Sequence, residues 1–314
     1  MNQNLNAIDA VITWVDGAEE NYLRKIEQWS GQKVHKPTPH FQAGELQWCL
    51  KSIFKFAPFI QTIFIVTDNQ QPDLKEFTAA EMSKIRVIDH KQIFEGFEHV
   101  LPTFNIFAIE SMLYRIPGLS EQFISFNDDF FLTKLSKPTD WFLGQKPVLR
   151  GKWQKNTDRI WYKKLLSLMG AKPKRMGFQR GQSESAAFVG FDNEFLRFFH
   201  TPRPLLVSEY EYLYATYPEL LPHQLQNRFR QAGQYNMFAM VWHSLIKKEK
   251  AIVKNDAAVI ELHNPHKQHL IASLEKIDFA FQEPNIRSLN VQSLEEVPPK
   301  SQKKILKKLA KYLN

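Results

Sequence analysis

Cysteine is all but missing from this sequence. Cys49 stands alone among 314 residues, which excludes a disulfide framework. No apolar run approaches the roughly 20 residues that a membrane-spanning helix needs. The opening stretch, MNQNLNAID, has no basic segment followed by an apolar one, so no secretory signal is visible. These absences lead to the expectation of a cytoplasmic protein. The chain also lacks G-x-x-x-x-G-K-[ST], G-x-G-x-x-G and G-x-S-x-G, so the P-loop, Rossmann dinucleotide and serine-elbow readings have no motif to stand on. The net charge is +8, yet no helix-turn-helix, zinc-finger or RNP pattern supports nucleic acid as a partner. His263, His266 and His269 are spaced by three, but Pro265 interrupts any helix that would align them. No acid or cysteine completes a zinc set, and no metal site is expected there.

What the chain has in quantity is apolar and aromatic mass, 43% hydrophobic with 25 Phe. That suits one large α/β domain or two closely packed ones. In the first 135 residues, short β-branched runs alternate with helical spacing. AVITWV (10–15), QTIFIVTD (61–68), KIRVIDH (84–90) and QFISFNDDFFL (122–132) read as strands. GELQWCLKSIFKFAP reads as a helix closed by Pro58, and TFNIFAIESMLYRIPG as another beginning near Thr103. Such alternation implies a parallel sheet with crossovers.

Each of these strands runs into an acid: Asp16, Asp68, Asp89, and the pair Asp128–Asp129. In a parallel sheet those ends share one edge, where ligands of open α/β sheets bind. A single acid after a strand is usually a turn former, and Asn127-Asp128-Asp129 alone could be an Asx turn. Adjacent carboxylates can also share a divalent cation, with Mg²⁺ using one or two of them plus substrate phosphates.

From 136 to 255 the pattern loosens into a largely helical insertion or second lobe. Residues 256–299 include AAVIEL (257–262), which could return a strand to the sheet, and 300–314 form a basic tail. His200 sits in HTPRP, where Pro202 and Pro204 hold Arg203 extended. A histidine on a stiff loop suits acid–base or phosphate-contacting work, although a lone histidine is more often structural. Residues 226–245 (QNRFRQAGQYNMFAMVWHSL) read as one long helix weakened by Gly233. Arg228 and Arg230, two apart, would then face differently, so one of them reaches a given site. Arginine matches phosphate oxygens bidentately; each is otherwise an ordinary surface ion-pair partner. The tail PPKSQKKILKKLAKYLN places Ile305, Leu306, Leu309, Tyr312 and Leu313 on one helical face and six lysines on the other. Two readings stay open: an anionic membrane surface binder, or a helix packed on its own domain.

IDAVITWVDG (8–17) resembles the first conserved block of the Stealth proteins. These are capsular polysaccharide phosphotransferases related to N-acetylglucosamine-1-phosphotransferase. GELQWCLKSIFKFAPFIQTIFIVTDNQQP, continuing through HVLPTFNIFAIESMLYRIPGLSEQFISFNDDFFL (99–132), is similar to their second block. FFHTPRPLL with LLPHQLQNRFR is similar to their third. Two departures stand out. PHFQA replaces the usual Arg-Asp before Gly44. The Asn-Asp of a fourth block has no clear match, Asn285 in EPNIRSLN being the nearest counterpart. The resemblance implies a GT-A-like α/β fold, a mostly parallel sheet flanked by helices with an additional largely helical lobe. It implies transfer of a sugar-1-phosphate from a nucleotide diphosphate sugar, such as UDP-GlcNAc, to a hydroxyl of a capsular polysaccharide or oligosaccharide acceptor.

On that reading Asp128 and Asp129 hold Mg²⁺ (or Mn²⁺) on the donor or orient the acceptor hydroxyl. His200 serves as base or phosphoryl contact, and Arg228, or failing it Arg230, neutralises phosphate charge. Trp14, Asp16, Gly17, Glu45, Asp68, Asn105 and Asn285 form the substrate pocket. The basic tail holds the enzyme at the inner face of the membrane. Two alternatives remain at this level: a metal-dependent glycosyltransferase that releases a nucleoside diphosphate, and a non-catalytic glycan- or membrane-binding protein.

Overall fold

A computed structural model describes residues 7–33, 44–156, 177–263 and 269–314. PHFQA, Pro265 and His266 lie outside the described residues. The central sheet takes four parallel strands: β1 (Ile8–Thr13), β2 (Ile63–Thr67), β3 (Ile85–Asp89) and β4 (Gln122–Asn127). β2 is buried at every position and β1 at all but its last, as expected of parallel strands covered on both faces. Helices α1 (Glu20–Ser30), α2 (Glu45–Phe56) and α3 (Ile106–Met112) follow β1, precede β2 and precede β4 respectively. In α2, Leu46, Cys49, Leu50 and Ile53 are buried, the 3.6-residue spacing that the sequence showed. The expected α/β class with a mostly parallel sheet flanked by helices is what the chain forms.

QFISFNDDFFL is not one strand. β4 ends at Asn127, and β5 (Phe130–Leu132) belongs to a different, three-stranded sheet. The chain leaves the main sheet at Asp128–Asp129 because the next residues find their hydrogen-bond partners elsewhere. After β6 (Phe142–Leu143), β7 (Lys146–Arg150), β8 (Lys152–Lys155), α4 (Phe178–Phe188) and β9 (Glu194–Arg197), strand β10 (Arg203–Leu206) returns to the main sheet. It runs antiparallel to β4 and gives the order β10-β4-β1-β2-β3. β10 is an edge strand, so the missing donors of Pro202 and Pro204 are tolerated. Running antiparallel, it carries its first residue, Arg203, and the preceding His200 to the carboxyl edge of its neighbours.

Next come α5 (Val207–Thr216) and α6 (Met237–Lys247). The long helix read over 226–245 is therefore half loop. Gly233 has φ +87°, which ends regular helix, and the Asn236 side chain caps α6 by accepting from the Ala239 N–H at 2.9 Å. β11 (Ile252–Lys254) pairs with β7. β12 (Val259–Leu262) does not rejoin the main sheet. It pairs with β13 (Ser288–Val291), which pairs with β5. Helix α7 (Leu270–Gln282) connects β12 to β13.

The tail forms α8 (Pro299–Leu313), which packs on α2 and α7. Ile305, Leu309 and Leu313 are buried there. Tyr312 stacks on Phe281 with ring centroids 4.4 Å apart and donates to Asp278 Oδ1 at 2.6 Å. Of the two readings of the tail, the packed helix is the one found, and its apolar face is not available for insertion into a bilayer. We expect Leu309→Ala to destabilise the fold by about 2–5 kcal/mol. Lys303→Glu with Lys304→Glu, on the opposite face, should shift stability by less than about 1 kcal/mol. Urea denaturation of both variants checks this.

Candidate active site

The strand order reverses between β1 and β4, and a crevice opens outside the carboxyl ends of a sheet at such a point. Here it is a cavity of about 310 Å³, walled by Thr13, Trp14 and Val15 at the end of β1 and by Asn127, Asp128 and Asp129 at the end of β4. β13 supplies the wall beside Asp129. Asn290 Nδ2 donates to Asp129 Oδ2 at 2.7 Å and to its carbonyl oxygen at 3.2 Å. Asp129 Oδ1 is sealed from solvent with no hydrogen-bond partner. Burial of the carboxyl, then the charges of Asp128 and Glu45, push Asp129 up to about 8. Glu45, the first residue of α2, lines the same cavity, as does Glu295.

The opposite wall carries the bases and cations. His200 stacks on Phe178 with centroids 4.2 Å apart, and its backbone N–H donates to Glu261 Oε1 at 2.9 Å. Burial, then the neighbouring Arg203 and His263, bring its imidazole down to about 3. The ring is therefore neutral at ordinary pH, with a lone pair that can accept a hydrogen bond. Arg230 lies at the cavity with its guanidinium over the Phe107 ring at 4.4 Å. Glu110, on α3, is buried, and desolvation raises it to about 7 against the pull of Arg203 and Arg230.

The residues present fit a hard divalent cation. Mg²⁺ uses one or two protein carboxylates and completes its shell with substrate phosphate and water. Asp128 and Asp129 are adjacent, and one oxygen of the pair is unmatched inside the protein. Among the described residues no three His, Cys, Asp or Glu side chains are placed to hold one ion.

Residues 6–34 match the family description Stealth protein CR1, conserved region 1, and residues 40–148 match Stealth protein CR2, conserved region 2. The chain belongs to the Stealth family. A capsular polysaccharide phosphotransferase LcbA of Aeromonas hydrophila is 32% identical over 253 residues, 76% of this chain and 66% of the relative. The fcs1 phosphotransferase of Haemophilus influenzae is 32% identical over 237 residues, 73% and 62% of the two chains. The exopolysaccharide phosphotransferase cps2G of Lactiplantibacillus plantarum is 40% identical over 136 residues, 43% and 39%. This Stealth chain thus spans between two fifths and two thirds of the length of these relatives. Among solved structures, a galactosyltransferase LgtC in complex with donor and acceptor sugar analogues aligns over 97% of this chain and 96% of its own. The identity is 10% and the TM-score 0.48.

Within this Stealth chain the residues singled out from sequence divide into two groups. Trp14, Glu45, Asp128, Asp129, His200 and Arg230 meet on the one cavity. Asp16, Gly17, Asp68, Asn105, Arg228 and Asn285 are not among its lining residues. Asp16 shapes the turn itself, its Oδ1 accepting from the Ala18 N–H at 2.9 Å. Asp68 is ion-paired with Lys25 at 2.8 Å beside a separate polar groove. Asn105 is wholly buried. It caps α3, and its Nδ2 donates to the Asn227 carbonyl at 2.8 Å and to Gln234 Oε1 at 3.0 Å. Arg228 is a strut. Its guanidinium donates to the carbonyls of His99, Val100 and Pro102 and lies 3.8 Å from the Trp29 ring. Asn285 is exposed, and the asparagine that reaches the site is Asn290.

His90, Glu110, Arg203, Asn236 and Glu295 also line the cavity and were not singled out as site residues. Periodicity marks His90 and Glu110 only as parts of buried segments. Arg203 is hidden between prolines that account for it as backbone. Arg228→Met should cost about 1–3 kcal/mol, since it leaves the part-buried carbonyls of Val100 and Pro102 without their donor. Arg230→Met should leave the melting temperature unchanged. Differential scanning calorimetry of the two variants separates strut from site residue.

Proposed function

We propose that this Stealth protein transfers a sugar-1-phosphate from a nucleotide diphosphate sugar to a hydroxyl of a glycan acceptor in capsule polysaccharide synthesis. The observation that carries this reading is the meeting of Asp128–Asp129, His200 and Arg230 on one cavity at the point where strand order reverses. They come from distant stretches, and together they supply what phosphoryl transfer uses: positioning, a proton acceptor and charge neutralisation. The phosphotransferase names of its relatives favour the same chemistry.

The acceptor oxygen attacks the phosphorus that carries the sugar. The bond from that phosphorus to the oxygen bridging toward the nucleotide breaks, and a nucleoside monophosphate departs with the electron pair. His200, neutral at working pH, takes the hydroxyl proton. Arg230 offsets charge on the transferring group. Asp128 and Asp129 would hold Mg²⁺ or Mn²⁺, which supplies charge neutralisation on the phosphate oxygens. Asn290 keeps Asp129 oriented, and Phe178 holds the His200 ring in plane. The partners are the nucleotide sugar and a capsular polysaccharide or oligosaccharide, with UDP-GlcNAc the first donor to try.

Incubation with Mg²⁺, acceptor oligosaccharides and a panel of nucleotide sugars should release a nucleoside monophosphate only when acceptor is present. Release of a nucleoside diphosphate would overturn the reading, because the sugar–oxygen bond would then be the one that breaks. Asp128→Asn, His200→Gln and Arg230→Met should each lower kcat by about 10²–10³.

The pH profile follows from the sign of the His200 shift. A base held down near 3 is already deprotonated at pH 5, so His200 adds no acid limb to kcat/KM between pH 5 and 7. A limb near pH 6.5 that disappears in His200→Gln would contradict this.

A further inference from the structure

Arg203 is the cation at this cavity that the proposed chemistry leaves unused. It lines the cavity yet is only 2% exposed. Its guanidinium sits among three phenyl rings, 5.2 Å from Phe130, 5.3 Å from Phe198 and 5.0 Å from Phe238. Neither Nε nor Nη1 has a hydrogen-bond partner. Glu110 and Asp129 are near enough to interact with it electrostatically, but among the described residues neither forms an ion pair with it.

A guanidinium stripped of water and left without a paired anion is unfavourable, and the π-faces of the rings compensate only in part. A strut would show the pattern of Arg228, with both terminal nitrogens donating to backbone carbonyls. Arg203 shows a different pattern: a buried guanidinium whose Nε and Nη1 find no hydrogen-bond partner among the described residues, beside the cavity. Backbone position supports the same view. Arg203 opens the antiparallel edge strand opposite Ser125 of β4, and flanking prolines limit the freedom of its backbone.

We propose that Arg203 forms the floor of an oxyanion subsite, where its guanidinium takes a phosphoryl oxygen of the donor diphosphate from beneath. This rests on the donor class proposed above but not on which bond is cleaved. It separates two cation roles: Arg230 at the exposed side of the cavity and Arg203 at its buried end.

The test is titration of inorganic pyrophosphate with Mg²⁺ into the full chain, wild type against Arg203→Met and Arg203→Lys, alongside melting curves. Wild type should bind pyrophosphate. Arg203→Met should bind it at least tenfold more weakly, and Arg203→Lys should fall between. Without ligand, Arg203→Met should melt at the same temperature as wild type or higher, since it removes an unpaired buried charge. Pyrophosphate should raise the melting temperature of wild type more than that of Arg203→Met.

Equal affinity in wild type and Arg203→Met would overturn the subsite, as would absence of binding by wild type. A ligand-free melting temperature several degrees lower in both variants would assign Arg203 to the scaffold and also overturn it. Loss of pyrophosphate binding in Arg203→Met, together with nucleoside diphosphate release by wild type, would keep the subsite and reject only the sugar-1-phosphate reading.

Discussion

The hydrogen bonds from Asn290 to Asp129 hold the site together because they tie one sheet to another. β4 delivers Asp128 and Asp129 at the carboxyl edge of the parallel sheet, and the chain then crosses into the sheet of β5, β13 and β12. That second sheet does more than receive the strand. Asn290 of β13 orients Asp129, Glu261 of β12 holds the His200 backbone, and the segment after β13 adds Glu295 to the cavity. The acidic wall and the basic wall are therefore registered against each other by the same three strands. Slippage of β13 by one residue would turn Asn290 away and unseat Asp129.

Burial shifts several of the titrating groups at the cavity away from their ordinary values. Burial holds His200 neutral and raises Glu110 and Asp129, and among the described residues Nε and Nη1 of Arg203 find no hydrogen-bond partner. Such concentration of perturbed groups marks a functional cleft more strongly than any single residue does. The cost is borne by a core of apolar strands and by polar clamps such as Arg228, bonded to backbone carbonyls, and Asn105, bonded to backbone and to Gln234.

Those clamps also show where sequence reasoning stops. Arg228 and Arg230 are the same residue type two positions apart, and a helix was read across both. The segment is a loop, and the choice between them rests on which guanidinium finds carbonyls and which finds the cavity. Asp16 and Asp68 follow strands as Asp128 does, yet one closes a turn and the other pairs with Lys25. Asn285 and Asn290 lie five residues apart, and only pairing of β13 with β5 puts the latter on Asp129.

Local pattern determined the parallel strands, the amphipathic α2, and the arrival of acids at one edge, because alternation and helical spacing act over a few residues. The blocks at 8–17 and 44–132 likewise carried the family. Tertiary structure decided the rest: the break of β4 from β5, the entry of β10 as an antiparallel edge that brings in His200 and Arg203, and the burial of the tail's apolar face. Each depends on hydrogen-bond partners or packing surfaces supplied by chain far away in sequence, and no local periodicity records which partner will be there.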